Sequence, residues 1–342
     1  MMRLLYFPQA LRASMLGLLV SCVLFAPATA ATLTVYAAMG YDQKLAQTFT
    51  QSTGIRVNLV HLSTGPLLAR VQAEGNRPQW DVLWFDGNLA MREFASHRQL
   101  SCGWLPSARY TAQGRALLPA DHCYFPVGVT YAGVMLVNAR NLPKSEWPKR
   151  WTDLENPALR GKVGMNNPAI SGPTYPFVAG MMQHFGMQGG ERFFERLKTN
   201  GLREFPRNSI TLRALQYGQI DVAVVQSSAA LGLVQRQPGL RVVAATPSIE
   251  LPSDIAIGAQ VRGGKLQAAR RFVQFVLSPA GQKVLQAGDR SADSNYQPLL
   301  AGIEGRPVLA KLAGARPLVL NPDRWGPREP KVVSWFAAHV TS

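Results

Sequence analysis

What most constrains this chain is an alternation of short β-prone runs with amphipathic stretches, beginning at Thr32. In "TLTVYAAMG", Leu33, Val35 and Tyr36 form a strand-like run ended by small residues and Gly40. "YDQKLAQTFTQSTG" then places Leu45, Ala46 and Phe49 at helical spacing and stops at Gly54. A second strand, "IRVNLVHL", leads through the loop "STGP" to the helix "LLARVQAEG", and "DVLWF" supplies a third strand. The order β-α-β-α-β predicts a doubly wound parallel sheet, because parallel neighbours need a crossover helix between them.

The pattern returns with different residues. "KVGMNNP" reads as a strand, "SGPTYPFVAGMMQHFG" as a loop and helix, and "GERFFERLKTNG" as a further helix. "NSITLRALQYGQ" reads as a helix capped by Asn208 or Ser209 with Gly218 at its end, followed by the buried strand "IDVAVVQ". Two such units predict two α/β lobes. The β-rich segment "CYFPVGVTYAGVMLVNARNLP" would cross from one to the other, and "VVAATPSIELPSDIAIGAQV" would cross back. The expected division is residues 31–130 plus about 254–288 for the first lobe. Residues 131–253 plus about 289–342 form the second. Open α/β sheets bind ligands beyond the C-terminal ends of their strands, so a cleft between the lobes is the expected site.

Residues 1–30 read as a secretory signal peptide. Arg3 and Arg12 make a positive start, "MLGLLVSCVLFA" an apolar core too short for a comfortable membrane span, and Ala28-Thr29-Ala30 a cleavage site. A lipoprotein reading at Cys22 competes, but Val23, Leu24 and Phe25 continue the apolar core where a polar tether would begin. The leader carries two arginines and no acid, so the remaining chain keeps most of the formal net charge of +16. That balance permits an anionic partner without specifying one. No run of Lys/Arg exceeds two and no nucleic-acid module is visible. Outside the leader Cys102 and Cys123 remain, and an exported chain with one such pair is expected to join them as a structural disulfide.

The mature chain resembles the exported substrate-binding proteins of ABC importers, in the group that binds ferric iron or organophosphorus anions such as 2-aminoethylphosphonate. The stretches that carry the resemblance are "LTVYAA", "TFTQSTGIRVNLV", "LLARVQAEGNRPQWDVLW", "NPAISGPTYPFVAGMMQHFG", "NSITLRALQYGQIDVAVV" and "AARRFVQFVLSPAGQKVL", in order from Thr32 to about Leu285. The resemblance implies a two-lobed, type II periplasmic-binding-protein fold, with two lobes closing on one solute for delivery to an inner-membrane ABC permease. It further implies a periplasmic, monomeric, non-catalytic protein without cofactor.

Candidate ligand residues follow from both readings. Ser63 and Thr64 offer hydroxyls and backbone N–H groups at a helix start, where an anion or a helix cap would look the same in sequence. Asp86 ends a buried strand and could meet an ammonium group or a metal, or cap the next helix. The resemblance assigns Ser171, Gly172 and Thr174 to the ligand at another helix start, with Pro173 withholding one N–H. It also places Asn208 and Ser209 near the cleft. Gln226 and Ser227 stand where the iron-binding members carry two adjacent tyrosines. This chain has no adjacent tyrosine pair, and neutral hydroxyls with an amide suit a multiply hydrogen-bonded organic anion. The five histidines lack metal-ligand spacing, and no hydrolase or P-loop motif occurs. The expected cargo is an organophosphonate or phosphate ester. Ferric iron with a synergistic anion is the alternative, and an exported enzyme on the same scaffold a lower one.

Overall fold

A computed structural model describes residues 32–287, 293–306, 309, 312 and 317–341. The expected leader and Cys22 lie outside the described residues. Among these residues no helix is long and apolar enough to cross a membrane.

The first unit is built as its pattern requires: β1 (Leu33–Ala37), α1 (Asp42–Thr53), β2 (Val57–His61), α2 (Thr64–Glu74), β3 (Val82–Asp86) and α3 (Asn88–Ser96). β1 pairs in parallel with both β2 and β3. In β3, Val82 and Trp84 enter one hydrophobic core, and Leu83 and Phe85 enter another on the opposite face. A strand covered on both faces reads as a continuous apolar run, which is why "VLWF" shows no polar alternation. After the short helix α4 (Ala112–Leu117), β4 (Phe125–Tyr131) joins the same sheet, and Cys102 and Cys123 are disulfide-bonded just before it.

The chain crosses at Ala132 and Gly133 into β5 (Val134–Asn138), the first strand of the second sheet. There follow β6 (Val163–Asn166), α5 (Thr174–Phe185), α6 (Met187–Thr199), β7 (Arg203–Phe205), α7 (Asn208–Gln216), β8 (Val222–Val225), α8 (Ser227–Val234) and β9 (Leu240–Val243). β10 (Glu250–Ile257) crosses back, α9 (Gly263–Val276) and α10 (Pro279–Gln286) cover the first sheet, and β11 (Gln297–Pro298) closes its far edge. The strand orders are β11-β4-β10-β3-β1-β2 and β7-β6-β8-β5-β9.

Two expectations need correcting. Both sheets are mixed, not purely parallel: β10 runs antiparallel to β3 and β4, and β5 antiparallel to β8 and β9. The crossing strands arrive from the opposite lobe and therefore enter against the grain. The segment assigned whole to the second lobe is also divided. Gln297–Pro298 pairs with β4 in the first sheet, whereas Trp325 and Phe336 are buried in the second lobe's core.

β1, β3, β6 and β8 all end toward the gap between the sheets, and the helices that follow them start there. The second lobe's core is aromatic: Phe194, fully buried, meets Phe177, Phe193 and Phe336 edge-on. Phe194→Ala is expected to cost about 3–5 kcal/mol of unfolding free energy, read from the urea midpoint. A cost below about 1 kcal/mol would show that this cluster does not carry the lobe.

Candidate functional site in the interlobe cleft

The two lobes touch at backbone distance. The Gly65 N–H at the start of α2 donates to the Ile170 carbonyl across the cleft at 3.1 Å. A methyl group on Gly65 would lie 2.4 Å from the Ala169 carbonyl oxygen, and one on Gly172 would lie 2.4 Å from Thr64 Oγ1. Only glycine permits this approach. Gln226 adds a side-chain bridge: its Nε2 donates to Asp86 Oδ2 in the other lobe and to Thr130 Oγ1, both at 2.9 Å.

Beside these contacts lies a cavity of about 640 Å³. Ser63, Thr64 and Asp86 line it from the first lobe, with Ser171, Gly172, Asn208, Ser209 and Gln226 from the second. Two expected residues are not on its wall. Thr174 is buried in the first turn of α5, with its N–H given to the Ser171 carbonyl, so it has no backbone donor to offer. Pro173, expected only to set the helix, does line the cavity. Ser227 is fully buried and its Oγ accepts the Tyr131 N–H, tying α8 to the end of β4. Tyr175 packs in the core and donates its hydroxyl to the Trp325 carbonyl.

The helix-capping alternatives fare differently from expectation. The N-cap of α7 is Arg207, not Asn208 or Ser209; Gly87, not Asp86, precedes α3; and Ser63 precedes α2 without accepting a capping bond. These polar side chains are therefore free of local duties. Asn166, at the end of β6, organises them. Its Nδ2 donates to Ser171 Oγ at 3.1 Å and to Asn208 Oδ1 at 2.6 Å, while its Oδ1 accepts from Thr211 Oγ1. With their oxygens occupied, Ser171 and Asn208 have an O–H and an NH₂ left to donate. The N–H groups of Asn208 and Ser209, in the open first turn of α7, donate to nothing among the described residues, and the helix dipole adds positive potential there. The Arg207 guanidinium makes no hydrogen bond or ion pair among the described residues and lines the same wall.

The opposite wall is acidic. Asp86 and Asp293 both line it, and Asp293 Oδ2 accepts the Gly40 N–H at 2.6 Å. Burial, and then the charge of Asp293, push the Asp86 carboxyl from 3.8 up to about 8, against the lowering effect of the Gln226 amide. Asp86 Oδ1 is buried without a partner. Asp254, behind it in β10, is buried with both oxygens unpartnered, and desolvation raises it well above the usual carboxylate range. His61 sits at the rim with Nδ1 2.7 Å from Asp42 Oδ2, a hydrogen bond that raises its pKa against the opposing effect of burial. Sequence reasoning missed Asn166, Arg207, His61 and Asp293. The double asparagine in "MNNP" was the one available signal, since a polar pair closing a buried strand needs partners. Among the described residues no group of three His, Cys, Asp or Glu could hold a metal, and no tyrosine lines the cavity.

Residues 33–288 match the family model of the bacterial extracellular solute-binding proteins. The chain belongs to that family. An uncharacterized protein of Haemophilus influenzae is 28% identical over 176 residues, 49% of this chain, and the match spans about half (50%) of that relative's length. The major ferric iron-binding protein of Neisseria gonorrhoeae is 22% identical over 280 residues, 79% of this chain and 83% of its own. Among solved structures, the periplasmic binding protein AfuA from Actinobacillus pleuropneumoniae, with exogenous fructose-6-phosphate bound, superposes with a TM-score of 0.78. It is 20% identical, over 91% of this chain and 98% of AfuA. The likeness establishes the two-lobed periplasmic-binding-protein fold, and both the Neisseria relative and AfuA are named as binding proteins.

In this solute-binding protein, Asp86 links ionisation to stability. Unfolded, it ionises near 3.8; folded, it keeps its proton until about pH 8. Between these values the unfolded chain holds fewer protons, so stability falls as pH rises through the window and levels off above it. The melting temperature measured without solute from pH 4 to 9 is expected to fall across that range. Asp86→Asn should flatten the fall by several degrees, leaving the part due to Asp254. An identical slope in the variant would contradict the assignment.

Proposed function

We propose that this protein captures a small organophosphorus anion, an organophosphonate such as 2-aminoethylphosphonate or a phosphate ester, between its lobes. It acts in the periplasm as a monomer and delivers the solute to an inner-membrane ABC permease. The observation that carries the reading is Asn166. By filling the acceptor sites of Ser171 and Asn208 it turns both outward as donors. Gly172, Ser209, Arg207 and the α7 N-terminus extend a wall that donates hydrogen bonds. An oxyanion with several lone pairs satisfies such a wall, because charge-assisted bonds are the strong ones. Ser63 and Thr64 would close on it from the first lobe. Asp86 and Asp293 then face the remainder of the solute, where an ammonium group would hydrogen-bond Asp86 Oδ1 once that carboxyl gives up its proton to solvent.

The ferric alternative draws on the Neisseria relative's name, and a ferric ion would have Asp86 as its protein ligand here, with no group of three His, Cys, Asp or Glu among the described residues to hold it. A wall of donors disfavours a bare cation, and a synergistic anion would be needed to fill it. The phosphate-ester reading draws equally on the sugar phosphate described in AfuA.

Titration calorimetry with 2-aminoethylphosphonate, fructose 6-phosphate and ferric citrate tests the reading, with Asn166→Asp as the variant. A carboxylate at position 166 only accepts, so it would recapture the Ser171 and Asn208 donors and add a negative charge. Phosphonate or phosphate-ester affinity is expected to drop about 100-fold, near 3 kcal/mol, with the circular dichroism spectrum unchanged. Binding of ferric citrate alone, or undiminished anion binding by the variant, would overturn the proposal.

A further inference from the structure

The cavity does not end at the oxyanion wall. It continues along the second lobe between α7 and α8, which pack side by side. Leu212, Ala229 and Leu233 make this stretch apolar, and Gln216, Arg236 and Gln237 follow. Two further cavities, of about 510 and 360 Å³, share Gln216 and Gln237 with the first, and both add Arg140 and Tyr217. Arg236 lines the first and the smallest of the three. Their shared residues make one groove, polar at the cleft, apolar in its middle and basic at its far end.

The charges at that end are uncommitted. Arg92, Arg150 and Arg196 are each held by a carboxylate. The guanidinium groups of Arg140 and Arg236 make no hydrogen bond or ion pair among the described residues. No acidic residue lines either of the two outer cavities, and Tyr217 is 76% exposed beside the two arginines. At 1.5 Å of rise per residue, Gln216 lies about 12 Å along α7 from Asn208. The main cavity alone is in the range that takes a drug-sized molecule, about 300–1,000 Å³, which a two-carbon phosphonate does not fill.

We propose that Arg140 and Arg236 form a second anion subsite, and that the natural solute is an elongated organophosphorus compound with an anionic group at each end. The middle of such a molecule lies along Leu212 and Leu233, and its two charged ends are on the order of 10 Å apart. This deepens the oxyanion reading and rests on it. Tyr217 offers the linking portion a flat face, and Gln216 and Gln237 supply neutral hydrogen bonds on either side.

Calorimetry at fixed ionic strength with hexane-1,6-bisphosphonate and hexylphosphonate tests it, using the wild type and the Arg140→Gln/Arg236→Gln double variant. These arginines lie outside the first oxyanion site. In the wild type the bisphosphonate is expected to bind about ten-fold tighter or more. In the double variant that advantage disappears while hexylphosphonate affinity stays within about two-fold. Equal affinities for the two probes in the wild type would overturn the subsite, as would a double variant that weakens both probes alike, the mark of a diffuse basic surface. Binding of hexylphosphonate without preference for the bisphosphonate removes only this inference. Failure of both probes and of 2-aminoethylphosphonate removes the oxyanion reading with it.

Discussion

The hydrogen bond from Gly65 N–H to the Ile170 carbonyl joins the lobes where no side chain could intervene. Each partner in it begins or precedes a helix, so the contact sets α2 against the loop before α5. The glycines at 65 and 172 are placed by this contact and not by turn geometry, since added methyl groups would meet backbone or Thr64 at 2.4 Å. Asp86 is buried beside Gln226, which bonds to it from the other lobe. A carboxylate in such a place is costly to keep ionised, and its proton is retained to about pH 8. The site is therefore polarised by its fold. One wall is rich in donors set by Asn166, and the other holds Asp293 and the protonated Asp86.

That polarity distinguishes a binding cleft from a packed interface. Stability alone would favour filling the gap with apolar side chains, as both lobes do in their cores. Here Ser171, Asn208 and Asp86 are arranged by partners that leave one hydrogen-bonding valence of each open. Open valences beside a cavity are expensive unless a solute completes them.

Much of this was legible in the sequence, and the reasons are local. The strands β1, β3, β6 and β8 announced themselves as β-prone runs with Gly, Ser or Asn within the next three residues, and their C-terminal ends had to lie near the cleft. The lobe crossings were visible because "TYAGVMLVN" is too apolar for a loop. Mixed pairing was not, because strand direction follows from which lobe a segment arrives from, which composition does not record. Thr174 and Ser227 were expected at the ligand from the resemblance, and each is buried at the start of its helix, off the cavity wall. Asn166 escaped notice because an asparagine closing a strand looks like turn chemistry until its partners, 5 and 42 residues away, are known. The same holds for Arg207 and Arg236, which are ordinary basic residues until the cavity wall is drawn.

The central claim is that the donor wall is built for a phosphorus oxyanion. Its most direct test is the material carried by the protein as purified from cells. The solute released by mild denaturation can be measured by phosphorus-31 NMR and by elemental analysis for phosphorus and iron. A phosphorus-bearing compound in fixed proportion to the protein, with iron absent, is the expected result. Iron in equal proportion to the chain, with no phosphorus, would contradict the account.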